Sequence, residues 1–186
     1  HMAKLVSKTY GEALFEIAME AKEGDKAGEL MEEIIQVKDI IRQNPEFDKL
    51  LKHPGIPKQE KIQVVKNVFK GHISEELLGF LEVVLQKERY SELPAIFEYF
   101  IEKVKEVKKI GVAYINSAVE LTDVQKEQVK AKLLQTTSYE TMEMHYSVDA
   151  SLIGGMVIRI NDRVVDSSIK SKLNDLTRQL LQIQLG

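Results

Sequence analysis

The sequence predicts an α plus α/β protein: an N-terminal six-helix bundle over residues 2–108, then a small domain over 109–186 with a short β-sheet and two helices. Three observations carry this expectation. Apolar residues recur at helical spacing through the first hundred positions. At Ile110-Gly111 the rhythm changes to a strand-like run, GVAYINSAVEL. Further on, Met142, Met144, Tyr146 and Val148 alternate with Glu143, His145 and Ser147, the period-two pattern of a strand with one buried face.

Each helix has its own signal. From Ser7 to Lys22 the stripe is Val6, Tyr10, Ala13, Leu14, Ile17, Ala18 and Ala21, widened by Phe15 and Met19, and Gly24-Asp25 breaks it. Lys26 to Gln43 turns Leu30, Ile34, Val37, Ile40 and Ile41 inward. Asn44-Pro45 pairs a capping residue with a first-position proline and opens a short helix carrying Phe47, Leu50 and Leu51. His53-Pro54-Gly55 ends it. Pro57 starts the next helix, with Ile62, Val65, Val68 and Phe69, closed by Gly71. Ser74 then caps a helix whose Glu75 and Glu76 suit the positive end of its dipole. That fifth helix, to about Glu88, carries Leu77, Leu78, Phe80, Leu81, Val83, Val84 and Leu85. A helix apolar nearly all round is either buried on every side or offered to a partner. The sixth, roughly Leu93 to Lys109, carries Ile96, Phe97, Phe100, Ile101, Val104 and Val107, with Lys103, Lys105, Lys108 and Lys109 on its solvated side and in the linker.

In the last third, Thr122 and Gln125 form a capping box for a helix to about Leu134. The stretch from Asp149 to Leu176 is the most distinctive. Gly154-Gly155 leads into a strand with Met156, Ile158 and Ile160 on one face and Val157 and Arg159 on the other. Asn161-Asp162 supplies a turn, Val164-Val165 returns the chain, and Asp166-Ser167-Ser168 opens a final helix with Ile169, Leu173, Leu176 and Leu180. A double glycine at a strand entrance marks a bulge or a close backbone crossing, not a dinucleotide fingerprint, which needs a third glycine opening a helix. A domain of roughly 75 residues is marginally stable by itself, which makes a supporting partner the expectation.

Composition narrows the function. A net charge of −3 argues against a nucleic-acid binder, and the absence of cysteine removes disulfides, thiol nucleophiles and thiolate zinc sites. It also fits a reducing compartment. No apolar run approaches the roughly 20 residues that cross a bilayer, and charged helical sequence stands where a signal peptide would be. His1 ahead of Met2 reads as a residue left from an expression tag. His53, His72 and His145 lack metal-ligand spacing and read as surface or turn histidines. Ser167 or Ser168 with Lys170 has the S-x-x-K spacing of some acyl-transfer enzymes, but without the companion motifs. The expectation is therefore no catalytic site, no metal, no cofactor and no small-molecule substrate.

Three passages together resemble one family. Tyr10-Gly11-Glu12-Ala13-Leu14-Phe15 with Ala18 is similar to Y-A-x-A-L-F-x-x-A, with Gly11 in place of the usual alanine. Phe80-Leu81, Leu85, Arg89, Leu93, Ile96 and Phe100 resemble its middle pattern. Gly154, Gly155, Met156, Val157, Ile158 and Arg159, then Asp162, Asp166, Ser168, Ile169 and Leu173, resemble its C-terminal signature. The family is the delta subunit of bacterial F-type ATP synthase, related to the mitochondrial oligomycin-sensitivity-conferring protein.

The resemblance implies a non-catalytic stator subunit, peripheral at the cytoplasmic face of the cell inner membrane. Such a subunit ties the catalytic head to the peripheral stalk, so that the head does not turn with the central rotor during proton-driven ATP synthesis. It also implies two partners. The N-terminal helix of an α subunit would lie in a groove between the first and fifth helices, lined by Tyr10, Ala13, Leu14 and Ile17 against Phe80, Val83, Val84 and Lys87. The b subunits of the stalk would contact the C-terminal domain, with Ile169, Leu173, Leu176 and Leu180 as the candidate stripe. The main competing reading is a cytoplasmic helix-binding adaptor with a different partner. A serine-lysine enzyme and a nucleic-acid module follow it.

Overall fold

A computed structural model describes residues 2–152 and 156–161. Within them the chain is mostly helical, with a three-stranded sheet, and it divides into two compact units, His1–Val104 and Lys105–Gly186. Among the described residues no helix is long and apolar enough to cross a membrane.

The first unit is built from α1 (Met2–Glu20), α2 (Lys26–Gln43), α3 (Pro45–Lys52), α4 (Lys58–Phe69), α5 (Glu75–Gln86), a 3-10 turn (Tyr90–Glu92) and α6, which runs from Leu93 to Val107. Their inward stripes meet in one core around Leu14, Leu30, Ile34, Phe69, Leu77, Phe97 and Phe100. The caps explain several boundaries. The Asp25 side chain accepts the Gly28 N–H at the start of α2, and the Ser74 hydroxyl accepts the Leu77 N–H at the start of α5. α5 ends at Gln86, two residues before the expected end near Glu88. Glu88 takes a left-handed conformation (φ 57), the Glu88 N–H reaches the Leu85 carbonyl and the Arg89 N–H reaches that of Val84. Those bonds are a Schellman closure made without glycine.

Four expectations are corrected. α1 ends at Glu20, so Ala21 lies past the helix and is exposed. Ile40 and Val68 are exposed, because stripes read at helical spacing drift beyond the buried arc. Asn44 stands at the N-cap position ahead of Pro45, but its side chain makes no capping bond to α3. Its side-chain amide instead donates to the Ile40 carbonyl, closing α2, while its backbone carbonyl accepts the Phe47 N–H. Lys103 and Lys105 are not simply solvated: Lys103 lies 3.8 Å from Glu12 and over the Phe15 ring, and Lys105 pairs with Glu143 at 2.7 Å.

The second unit holds β1 (Ile110–Ser117), α7 (Asp123–Thr136), β2 (Thr141–Val148) and β3 (Met156–Ile160). The strand order is β2-β1-β3; β1 pairs parallel with β2 and antiparallel with β3. A parallel pair needs a crossover, and α7 supplies it. β1 is shorter than the strand-like run, since the Ser117 hydroxyl donates to the Val119 carbonyl and turns the chain there. The capping box forms in full: the Thr122 N–H donates to Gln125 Oε1, and the Gln125 N–H to Thr122 Oγ1. Ala113, Ile115, Met142 and Ile160 from the sheet pack with Val129 and Leu133 of α7.

Candidate functional site

α1 and α5 meet where the Tyr10 and Phe80 rings pack edge-on, with centroids 6.4 Å apart. Around that contact the expected groove residues separate into two levels. Leu14, Phe80 and Val84 lie in the core. Tyr10 and Ile17 are half-buried, while Ala13, Val83 and Lys87 are exposed. Val83 is 49% exposed in a helix whose other large apolar residues are buried, so α5 keeps one unsatisfied apolar position.

Sequence reasoning passed over Gly79. It stands one turn before Val83 in the middle of α5, and a Cβ built on it would meet nothing within 4 Å. A glycine costs a helix roughly 0.5–1 kcal/mol relative to alanine. Among the described residues no neighbour requires it. The signal in the sequence was a glycine inside an otherwise strong helix.

Gly11 has an internal reason. A Cβ there would fall 2.5 Å from Cδ1 of Tyr99 on α6, whose hydroxyl donates to Glu12 at 2.9 Å. The tyrosine ring occupies the space that an alanine methyl would need.

A concavity of about 540 Å³ lies among α2, α3, the 3-10 turn and α6. Ile35, Ile41, Leu93 and Phe97 give it apolar walls. Its acids are already engaged, Asp39 by Arg42 at 2.6 Å and Asp48 by the Tyr90 hydroxyl at 2.7 Å and Lys52 at 2.9 Å. The Tyr90 hydrogen bond, then Lys52, holds the Asp48 carboxyl below its usual range; burial, then Asp48, pushes the Tyr90 hydroxyl well above its own.

On the second unit, Arg159 is exposed on β3, over the Tyr114 ring. Gly154, Gly155, Asp162, Asp166, Ser168, Ile169, Leu173, Leu176 and Leu180, with Ser167 and Lys170, lie outside the described residues.

Comparison with known proteins decides the family. Residues 6–180 match the model for the ATP synthase delta (OSCP) subunit. The chain belongs to that family. Its relatives include the ATP synthase subunit delta of Lachnoclostridium phytofermentans, 55% identical over all of both chains. That of Acetivibrio thermocellus is 34% identical over 96% of this chain and 99% of its own. In fold, the chain is similar to a chain of the Toxoplasma gondii mitochondrial ATP synthase hexamer, with a TM-score of 0.65 at 20% identity, covering 94% of this chain and 97% of that one. Members of the delta family are structural, so the function of this chain is sought in surfaces that hold partners.

Proposed function

We propose that the chain is the non-catalytic stator subunit of an F-type ATP synthase, tying the catalytic head to the peripheral stalk. The carrying observation is the family match over residues 6–180, nearly the whole chain. In this reading residues 2–108 form one six-helix bundle that receives the N-terminal helix of an α subunit. Residues 109–186 face the b subunits, and the protein sits peripherally at the cytoplasmic face of the membrane. The α1–α5 strip suits an amphipathic guest helix. Ala13 and Gly79 are small enough for a close backbone approach, Val83 offers apolar surface, Tyr10 a wall, and Lys87 a charged rim.

A joint that survives each rotary step needs affinity. An interface of about 800 Å² per partner supports nanomolar binding, about −12 kcal/mol. Contacts at two separate surfaces also keep a transiently released end close by.

The test is calorimetric titration of the full chain with a peptide of the α-subunit N-terminal segment from the same genome. Tight one-to-one binding is expected. Ala13→Trp should abolish it while the melting temperature stays put, since Ala13 points to solvent. Undiminished binding by that variant would move the guest off this strip. Failure of the unmodified chain to bind would favour an adaptor with another partner.

A further inference from the structure

We propose that the exposed face of the sheet is the surface that takes the peripheral stalk, and that Arg159 anchors it by receiving a carboxylate side chain from a stalk helix. The proposal rests on the stator reading and names a contact within it.

The register builds the site. Tyr114 on the central strand is paired with His145 of β2 on one side and Arg159 of β3 on the other. The three side chains therefore stand in a row across the sheet, on the face opposite Ala113, Ile115 and Ile160. The Tyr114 and His145 rings are stacked 5.0 Å apart with planes 16° from parallel, and the Arg159 guanidinium lies 4.6 Å from the Tyr114 centroid. All three are exposed, and so is Val157, at 56%, two residues before Arg159 on the same face.

Charge then selects the occupant. The acid on this face, Glu143, is held by Lys105 at 2.7 Å and stands 3.7 Å from His145. Asn116 and Ser147 hydrogen-bond each other. Among the described residues the contact recorded for the Arg159 guanidinium is the Tyr114 ring, and no carboxylate meets it. A guanidinium stacked on an aromatic ring keeps its N–H edge free, in the planar fork that a carboxylate matches with two hydrogen bonds. Stacking also orders the side chain before the partner arrives, which lowers the entropy cost of binding. Arginine beside tyrosine is the usual chemistry of an interface anchor.

Shape agrees. Three strands at about 4.8 Å spacing present a face about 10 Å across, the width of one α-helix. Val157 supplies the apolar shoulder that such a helix would cover.

The experiment titrates the full chain with a soluble segment of the b subunit from the same genome and, in parallel, with the α-subunit peptide. Arg159→Glu should weaken b binding at least about tenfold and leave the α peptide unaffected, as expected for loss of a charge pair at one interface. Arg159→Lys should recover part of the loss, keeping the charge without the fork. Replacing acidic residues of the b segment with their amides should reproduce the loss, with nothing further lost in the Arg159→Glu background.

Unchanged b affinity in Arg159→Glu overturns the proposal and leaves the stator reading intact. If the unmodified chain binds the α peptide but no b segment, the stalk half of that reading falls, and this proposal with it. If Arg159→Glu lowers the melting temperature while the folded protein binds b normally, the face belongs to the chain's own residues 162–186. If it dissolves a dimer, the face belongs to a second copy. Either of the last two results also overturns it.

Discussion

The two units are specified by different means. In the first, Phe69, Phe97 and Phe100 are fully buried together with Leu14, Leu30 and Ile34, and close packing of large side chains decides how the helices meet. In the second, the described core is aliphatic and smaller, around Ala113, Ile115, Val129 and Leu133. Here polar clamps fix the geometry: Asn161 on Val112 and Tyr139, Ser117 on Val119, the Tyr146 hydroxyl on the Lys126 carbonyl, and the Thr122–Gln125 box. A short sheet with few apolar pairs does not hold its register by burial alone. The first unit should therefore resent changes of volume, and the second the loss of hydrogen bonds.

The largest expected effect comes from adding one methyl to the first unit. Gly11→Ala should cost roughly 1–3 kcal/mol through overpacking against Tyr99, less the few tenths to 1 kcal/mol that alanine returns as a better helix former. In a Tyr99→Ala background the same change should become neutral or stabilising, because the ring that blocks the methyl is gone. Urea unfolding of the four proteins measures this coupling. Equal costs in both backgrounds would show that Tyr99 is not the obstacle, and would weaken the claim that volume rules this unit.

A smaller loss is expected from one amide in the second unit. Asn161 has φ 53; its backbone N–H donates to the Val112 carbonyl, its side-chain oxygen accepts the Val112 N–H at 2.8 Å, and its amide donates to the Tyr139 hydroxyl at 2.7 Å. Asn161→Gly keeps the left-handed backbone and removes both side-chain bonds. It should cost about 1–2 kcal/mol, felt as faster hydrogen exchange at Val112. Exchange unchanged in β1 would mean that strand pairing needs no clamp.

What the sequence disclosed follows the same division. Signals acting within about four residues were legible: the stripe of α2 as far as Val37 and that of α5, the Ser74 cap, the Thr122–Gln125 box, and the alternation of β3 and of β2 from Met142 to Tyr146. Asn44 was misread because one side chain stood between two helix ends and could serve either. Glu88 was missed because a left-handed residue other than glycine leaves no local mark. The apolar stripes of α1 and α5 were legible but not their division into buried and exposed positions, since spacing gives a stripe and not how much of it the neighbours cover. The Tyr114–His145–Arg159 row was out of reach for a stronger reason. It depends on the register of three strands, which none of its members discloses alone.

The smallest effect expected is the loss of a polar bond in the first unit. Tyr90→Phe keeps the buried ring and removes the hydroxyl that donates to Asp48 at 2.7 Å, and should cost about 1 kcal/mol at neutral pH. Its sign against pH makes it diagnostic. The Asp48 carboxyl is held below its ordinary value in the fold, first by Tyr90 and then by Lys52, so near pH 4 the folded protein binds fewer protons than the unfolded chain. The stabilisation is complete above about pH 5 and is lost as pH falls through the folded value, below about 4. Removing the hydroxyl lets that carboxyl rise toward normal, so the variant should lose less stability on acidification than the parent, with Lys52 still supplying a remainder. Urea midpoints at pH 7, 4 and 3 decide the matter. Parallel curves for the two proteins would mean that Asp48 draws its character from Lys52 alone, and that a polar bond in this helical unit contributes to stability without setting its response to acid.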